Sequence, residues 1–259
     1  MCTLAVYFQA SVDFPLVIAA NRDEFYDRPT APPTLASHAP WIVAGRDLVA
    51  GGTWFGINEN NLAAGILNRR SNKLPDPSRQ SRGALCLDAL RHSGVGEAIR
   101  WVCSQEANDY NPFNLLLASP WVAAVIGNLS GEMRATPLSP GLHLLSNLDL
   151  NDSECPRIAK SFRLFEALLP KLRADILPTL LDDLGSILSD HSTPLDPRSP
   201  GPSNNLCVHL DRFGTRSSSI LAFSAATRRF RFWYADGAPC RARYREIALR
   251  LPPSPLSHC

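Results

Sequence analysis

The segment LVIAANRDEFYDRP, residues 16–29, decides the fold of this 259-residue chain. Its opening residues are apolar and partly β-branched, as in a buried strand, and the polar run NRDE follows directly. A second apolar stretch, TLAVYFQA at residues 3–10, comes before it, and the short gap between them favours a hairpin. The chain therefore opens with two antiparallel strands, and the second ends in charged residues.

Counting residues along the antiparallel hairpin places Cys2 beside the charged end of the second strand. If Tyr7 or Phe8 pairs with Leu16, Cys2 falls opposite residue 21 or 22, at roughly 4.5–5.5 Å. An arginine there would lower the pKa of the thiol, and a neighbouring carboxylate would orient the guanidinium. In a straight strand Asn21 and Asp23 face one side while Arg22 and Glu24 face the other. A solvated strand end would have the same composition.

Cys2 also has a possible chemistry of its own. A cysteine is small enough for methionine aminopeptidase to remove Met1, which predicts a mature chain that begins at Cys2. The freed α-amine, with a pKa of about 7.7–8.0, would be a general base for the adjacent thiol near neutral pH. A small buried residue at the start of a strand is the structural alternative.

Composition narrows the function classes. The chain is 45% hydrophobic and 19% charged with a formal net charge of +2, which indicates a globular protein without general affinity for nucleic acid. Its seven cysteines form no C-x-x-C pair and its six histidines show no ligand spacing, so no metal or cofactor is predicted. His143 and His209 are interpreted as sheet residues. No apolar run approaches the roughly 18 residues of a membrane span, and free thiols favour the cytoplasm.

The remaining pattern alternates between strands and helices. Prolines predict an extended loop over 25–40, and Ser93-Gly94 divides two short helices within 82–105. Strands are predicted at 53–58, 61–68, 113–119, 121–127, 141–147, 206–210, 215–224 and 228–235, helices at 157–172 and 173–189, and flexible loops at 71–81 and 192–205. Helices between two groups of strands indicate an α+β layered fold.

Three further polar residues stand at or near the ends of apolar strands. Asn68 and Asn147 end two of them, and Arg216 lies near the start of a third. Amide side chains can donate hydrogen bonds to the oxyanion formed during acyl transfer. Turn-forming asparagines and a surface arginine would explain the same residues without chemistry.

The order of motifs resembles the NRDE family, also called the transport and Golgi organisation protein 2 family. The motifs are MC at residue 1, LVIAANRDEFYDRP at 16–29, GGTWFGIN at 51–58, FNLL at 113–116, GLHLLSN at 141–147 and GTRSSSI at 214–220. The resemblance runs from residue 2 to about residue 235. It implies one N-terminal-nucleophile hydrolase-like domain over residues 1–259, built as a four-layer αββα sandwich and similar to penicillin acylases and bile salt hydrolases.

The resemblance also implies a set of site residues. Cys2 is the nucleophile and Arg22 with Asp23 is its supporting pair. Asn147 and Arg216 match later positions of the family, and Asn68 matches with a different spacing. The implied activity is hydrolysis of C–N amide bonds, or of thioesters, through an acyl-Cys2 intermediate.

A binding protein is the alternative function. In that case the same pocket holds haem, a lipid or an acyl-CoA, and no bond is cleaved. The two alternatives differ in thiol reactivity, because a poised nucleophile is labelled before the other cysteines. Cys259, at the mobile chain end, is the chief competitor for the label.

Overall fold

The computed structural model describes residues 2–72, 74–192 and 204–249. These residues form thirteen β-strands and four α-helices. In chain order they are β1 (Thr3–Phe8), β2 (Leu16–Phe25), β3 (Thr30–His38), β4 (Trp41–Asp47), β5 (Phe55–Asn58), β6 (Ala63–Asn68), α1 (Arg82–Ala89), α2 (Val95–Cys103), β7 (Phe113–Ala118), β8 (Ala123–Gly127), β9 (Arg134–Pro137), β10 (Gly141–Leu145), α3 (Pro156–Glu166), α4 (Leu177–Leu188), β11 (Phe213–Ser224), β12 (Arg229–Ala235) and β13 (Arg245–Glu246).

The chain divides into two compact units, each with one antiparallel sheet. The first unit comprises Met1–Asp27 and Ser139–Ala248, and its sheet has the strand order β10-β1-β2-β11-β12-β13. Helices α3 and α4 pack on one face of this sheet. The core between helices and sheet contains Ala5, Tyr7, Val17, Ala19, Leu144, Ile158, Phe165, Leu180, Leu184, Leu188 and Ile220.

The opening hairpin has the predicted register. Phe8 pairs with Leu16 and Thr3 with Asn21, so the next position places Cys2 opposite Arg22. All six residues of β1 are buried, as its unbroken apolar run predicts for a strand that lies between two others. The side-chain period of two fixes this register, because a slip by one residue would exchange the two faces of every strand in the pair.

The second unit, over Arg28–Leu138, is a seven-stranded sheet in which β3 to β9 follow one another in chain order. Helices α1 and α2 pack on one face of it, and the break predicted near Ser93-Gly94 separates them. The N-cap of α1 is Ser81, whose side chain accepts a hydrogen bond from the Ala84 backbone N–H. Their core contains Ile42, Leu62, Leu85, Leu90, Val102, Phe113, Leu115 and Ile126.

The prediction of an extended loop over residues 25–40 is wrong. These residues instead complete β2 and form β3, which pairs with β4, a strand that the sequence pattern also missed. Prolines 32 and 33 are compatible with β3 because it is the edge of the sheet, and the register shifts between Ala31 and Thr34. An edge strand tolerates residues that cannot donate to a ladder.

Three other boundaries differ from the prediction. Helix α3 ends at Glu166, well before residue 172, because Pro170 disfavours a continuous helix. The strand predicted at 206–210 is only an isolated bridge between His209 and Gly214, and β9 went unpredicted. Most of the loop predicted over 192–205 lies outside the described residues. Among the described residues, no helix combines the length and apolar character required to cross a membrane.

Candidate active site

Cys2 lies immediately before β1, and its thiol contacts the backbone of β2. The Asp23 N–H donates a hydrogen bond to Sγ at 3.3 Å, and Sγ lies 3.5 Å from the Asp23 carbonyl oxygen. The register of the hairpin creates this contact, since Cys2 is opposite Arg22 and one residue from Asp23. The residue as a whole is half-buried.

The environment of the thiol opposes its ionisation. Burial, and then the Asp23 carboxylate, raise the pKa of Cys2, while the Asp23 N–H and the Arg22 guanidinium lower it less. Arg22 therefore lowers the thiol pKa as expected, but burial has the larger and opposite effect. A proton acceptor is needed to form the thiolate.

The polar residues of β2 separate onto the two faces of the sheet, as strand alternation predicts. Asn21 lies on the helical face, where its amide donates to the carbonyls of Leu188 and Leu206, both at 2.8 Å. Arg22 lies on the other face with Cys2, and its Nη2 is 3.5 Å from Oε2 of Glu24. Arg22 therefore forms an ion pair with Glu24, a residue of its own strand.

Asp23 accepts a hydrogen bond from a residue to which the sequence analysis assigned no role. Thr215 in β11 donates a hydrogen bond from Oγ1 to Oδ1 of Asp23 at 2.6 Å. The same Oγ1 accepts one from the Val208 N–H at 2.9 Å. Both Asp23 and Thr215 are buried, so this hydroxyl fixes the carboxylate on the side of the sheet away from Arg22.

Arg216 occupies a β-bulge beside the paired strand. In β11, Thr215 pairs with Asp23 and Ser217 pairs with Arg22, which leaves Arg216 as the extra residue. A bulge of this kind re-aims one side chain, and bulges are common next to active sites. Within the described residues, the buried Nε of Arg216 has no hydrogen-bond partner.

Tyr234 in β12 is a second residue that the sequence pattern did not mark. Its ring is buried, which raises the pKa of the phenol, while the charges of Arg22 and Arg216 lower it. Aromatic residues in strands are common, so nothing in the local sequence separated Tyr234 from an ordinary core residue.

Asn147 follows β10, which pairs with β1 on the side opposite β2. Leu4 pairs with Leu145, and continuing this register by two residues would bring Asn147 opposite Cys2. Its buried Oδ1 has no hydrogen-bond partner among the described residues. Cys2, Arg22, Asp23, Asn147 and Arg216 thus share one end of the six-stranded sheet.

Two other residues named in the sequence analysis do not belong to the described part of the six-stranded sheet. Asn68 ends β6 in the seven-stranded sheet, where it pairs with Phe113 and its side chain is exposed. Its role remains a prediction. Cys259, the expected competitor for thiol reagents, lies outside the described residues.

Two of the histidines lie in a group of side chains that the sequence analysis did not anticipate. His209 is half-buried in the segment before β11, next to His191, Cys207 and Cys240. The ligand atoms of these four residues lie within 4.8 Å of one another. The spacing of these residues in the sequence did not indicate this group, because folding assembles it from three separate segments.

Three solved structures that resemble this chain in fold are hydrolases or acylases by name. A Caenorhabditis elegans ortholog of N-acylethanolamine-hydrolyzing acid amidase matches with a TM-score of 0.55 at 12% identity, over 85% of this chain and 92% of that one. The C2A mutant of the conjugated bile acid hydrolase from Clostridium perfringens matches with 0.56 at 8% identity, over 95% and 92%. Penicillin V acylase from Agrobacterium tumefaciens matches with 0.53 at 15% identity, over 93% of both chains. The predicted α+β N-terminal-nucleophile hydrolase-like fold is confirmed.

Sequence relatives identify the family. The mouse Transport and Golgi organization 2 homolog is 27% identical over 232 residues, which cover 82% of this chain and 83% of the relative. The human homolog is 28% identical over 232 residues, which again cover 82% of this chain and 83% of the relative. The family model described as Transport and Golgi organisation 2 matches residues 1–233. The chain therefore belongs to the Transport and Golgi organisation 2 family, as the resemblance of its motifs implied.

Proposed function

We propose that the protein is an N-terminal cysteine hydrolase that cleaves C–N amide bonds, or thioesters, of a small molecule through an acyl-Cys2 intermediate. The observation that supports this most is the half-buried thiol of Cys2 at the end of the hairpin, 3.3 Å from the Asp23 N–H. A structural cysteine would need no polar contact of this kind, because a buried thiol packs as a small apolar group.

The raised thiol pKa fits this mechanism. Once Met1 is removed, the α-amine of Cys2 accepts the thiol proton, and the thiolate attacks the substrate carbonyl. The C–N bond of the tetrahedral intermediate breaks, and the departing amine takes the proton back from the ammonium group. Water then attacks the thioester, giving up one proton to the α-amine, and the carboxylic acid leaves as the thiolate re-forms.

The neighbouring residues have defined roles in this proposal. Asn147 and Arg216 donate hydrogen bonds to the oxyanion, since each is at the Cys2 end of the sheet. Asp23, held by Thr215, places its N–H against the sulfur, and Arg22 favours the anionic thiolate. Asn68 is proposed as a further oxyanion donor from the family resemblance alone.

The structural relatives support the choice of reaction. Their names describe hydrolysis of N-acylethanolamines and conjugated bile acids, and acylase action on penicillin V. Each describes a protein that is at most 15% identical to this chain, so the substrate class is carried over as a proposal. The matched bile acid hydrolase is a C2A mutant, so the unmutated form of that protein has a cysteine at its second position.

Trapping of the acyl-enzyme tests the proposal. Chain that begins at Cys2 is incubated with N-acyl amides and acyl thioesters, quenched in acid, and its intact mass and peptide map are measured. We expect one acyl group on Cys2 in the wild type and in Cys103→Ser, a control that removes an exposed thiol, and none in Cys2→Ala. Absence of an acyl adduct with every donor would contradict the proposal and favour the alternative of a haem, lipid or acyl-CoA binding protein.

A further inference from the structure

A second group of reactive side chains lies in the six-stranded unit and shares no residue with the set assigned to the Cys2 site. His191 follows α4, Cys207 and His209 precede β11, and Cys240 follows β12. Three separate segments of the chain thus bring two imidazoles and two thiols together, with all ligand atoms within 4.8 Å of one another.

The distances in this cluster match those of a tetrahedral zinc site. Zn–S bonds of about 2.3 Å and Zn–N bonds of about 2.0–2.1 Å at tetrahedral angles separate two sulfurs by roughly 3.8 Å and a sulfur from a nitrogen by roughly 3.5 Å. The Cys207 and Cys240 sulfurs are 3.6 Å apart, and Nε2 of His209 is 3.5 Å from the first and 3.1 Å from the second. The ligand atoms of these three residues therefore have the spacing of three ligands of one tetrahedral ion.

We propose that His191, Cys207, His209 and Cys240 bind one Zn²⁺ ion. Two thiols and two imidazoles form a donor set that favours zinc over magnesium or calcium, which prefer oxygen. Binding forms two Zn–S and two Zn–N bonds and releases the two thiol protons to solvent. The His191 ring is stacked on that of His209, with centroids 5.2 Å apart, so a small side-chain adjustment would complete the set.

The backbone around the ligands is organised independently of any ion. The Cys207 N–H donates to the Asp190 carbonyl at 3.0 Å, which joins the segment before β11 to the end of α4. After β12, the N–H groups of Arg241 and Ala242 donate to the Ala238 carbonyl, so Cys240 lies in a defined turn. Preorganised ligands lose less conformational entropy on metal binding.

A disulfide is the other chemistry that two close thiols allow. Linking Cys207 to Cys240 would use both sulfurs and leave the imidazoles without a role. Nε2 of His209 is within hydrogen-bond distance of the Cys240 sulfur, at 3.1 Å, a contact that suits a shared metal ion and that a disulfide would not require. His191 and Cys240 are exposed, so an ion can enter from solvent, while Cys207 is buried behind them.

The site has a structural role in this proposal, because four protein ligands leave no open position for a substrate. It also connects to the Cys2 site by hydrogen bonds. Val208, between two of the ligands, donates to Thr215, and Thr215 donates to Asp23. Zinc would thus fix the segment that holds the Asp23 carboxylate.

Metal content tests the site directly. Full-length protein is purified in reducing buffer without chelator, and zinc is measured by elemental analysis and native mass spectrometry. We expect one Zn²⁺ per chain in the wild type, in Cys103→Ser and in Cys2→Ala. In Cys240→Ser, a change at an exposed position, we expect zinc affinity to fall at least about a hundredfold. Co²⁺ substitution should give the visible bands of a tetrahedral thiolate complex in these three proteins and not in Cys240→Ser.

Three results would overturn the proposal: a reduced wild-type chain that retains no zinc, a Cys240→Ser variant that binds as tightly as the wild type, or a chain that forms a Cys207–Cys240 disulfide and takes up no metal when reduced. The Cys2→Ala variant keeps this test separate from the hydrolase proposal. It cannot form an acyl-enzyme, yet its zinc content is expected to be unchanged.

Discussion

The buried polar residues of the two units differ in how they are satisfied. In the seven-stranded unit, Asn58 donates to the carbonyls of Leu90 and His92 and accepts from two backbone N–H groups of its own turn. The side chain of Asn128 likewise donates to the carbonyls of Ala107 and Tyr110, and it accepts a hydrogen bond from the Phe113 N–H. At the Cys2 end of the six-stranded sheet, the Asn147 Oδ1 and Arg216 Nε atoms are buried, and each is without a hydrogen-bond partner among the described residues.

This difference separates residues that maintain the fold from residues available for chemistry. A buried polar atom without a partner costs about 1–3 kcal/mol, so a protein retains one only where something else requires it. The described residues of the seven-stranded unit include no such atom. A substrate carbonyl would supply the missing acceptor at Arg216, which is why we assign the chemistry to the six-stranded unit.

The largest expected effect comes from blocking the Cys2 nitrogen. If one extra residue precedes Cys2, its nitrogen is an amide and cannot accept the thiol proton. Acyl transfer should then fall by about 10²–10⁴-fold. Burial raises the pKa of the thiol, so in the blocked chain alkylation should keep rising with pH beyond the ordinary thiol range. In the processed chain it should level near the amine pKa of about 7.7–8.0. Identical pH profiles for the two chains would refute the amine as the base.

Paired asparagine variants sharpen the comparison between the units. Asn58→Ala removes four hydrogen bonds in a fully buried turn and should lower the free energy of unfolding by about 2–4 kcal/mol. Asn147→Ala should change it by less than about 1 kcal/mol but slow acyl transfer by about 10²–10³-fold, the usual effect of losing one oxyanion donor. Denaturant unfolding and acyl-enzyme kinetics on both variants check this. If Asn147→Ala is the more destabilising change, the assignment of roles is reversed.

A smaller effect is expected at Thr215, which belongs to both fold and site. Thr215→Val keeps the shape of the side chain but removes the hydroxyl that contacts Asp23 and Val208. We expect a loss of about 1–3 kcal/mol in unfolding free energy, because a buried carboxylate loses a donor. Thr215→Ser should recover most of this loss, since it restores the hydroxyl. Equal stability of all three proteins in thermal unfolding would show that the hydroxyl is dispensable.

The smallest effect is expected at Arg22. Its guanidinium lowers the thiol pKa less than burial raises it, so Arg22→Gln should slow alkylation of Cys2 by no more than about tenfold at neutral pH. Loss of the cation raises the thiol pKa, so the pH–rate curve should move to higher pH. Arg46→Gln, a change of an exposed arginine in β4, is the matched control and should leave the curve in place. A faster reaction in Arg22→Gln would contradict the assigned electrostatics.

The opening hairpin could be predicted from sequence because two local signals agree. Apolar runs of strand length and a short gap restrict the register to one or two choices, and the observed pairing of Phe8 with Leu16 is one of them. By contrast, strand β3 was missed because its prolines suggest a loop. Only its position at a sheet edge, a tertiary property, makes them acceptable.

The site was predictable only in part for a similar reason. Motif resemblance selected the residues at the Cys2 end of the sheet, but the bulge at Arg216 and the hydroxyl of Thr215 depend on pairing between distant strands. The cluster around His209 shows the same limit. Its ligands come from three segments, and no local spacing announces that His191 and Cys240 meet there.

The most direct test of the account is a competition between thiols in the processed chain. Protein that begins at Cys2 is treated at neutral pH with a limiting amount of a mild alkylating reagent, and every cysteine is quantified by peptide mapping. Cys103 is the internal reference, because its side chain is exposed to the reagent. Partial burial of the sulfur raises its thiol pKa, as burial does for Cys2. The account predicts that Cys2 takes up the label well before Cys103, and that an added residue before Cys2 removes this advantage. Labelling of Cys2 no faster than Cys103 would contradict the claim that Cys2 is the nucleophile.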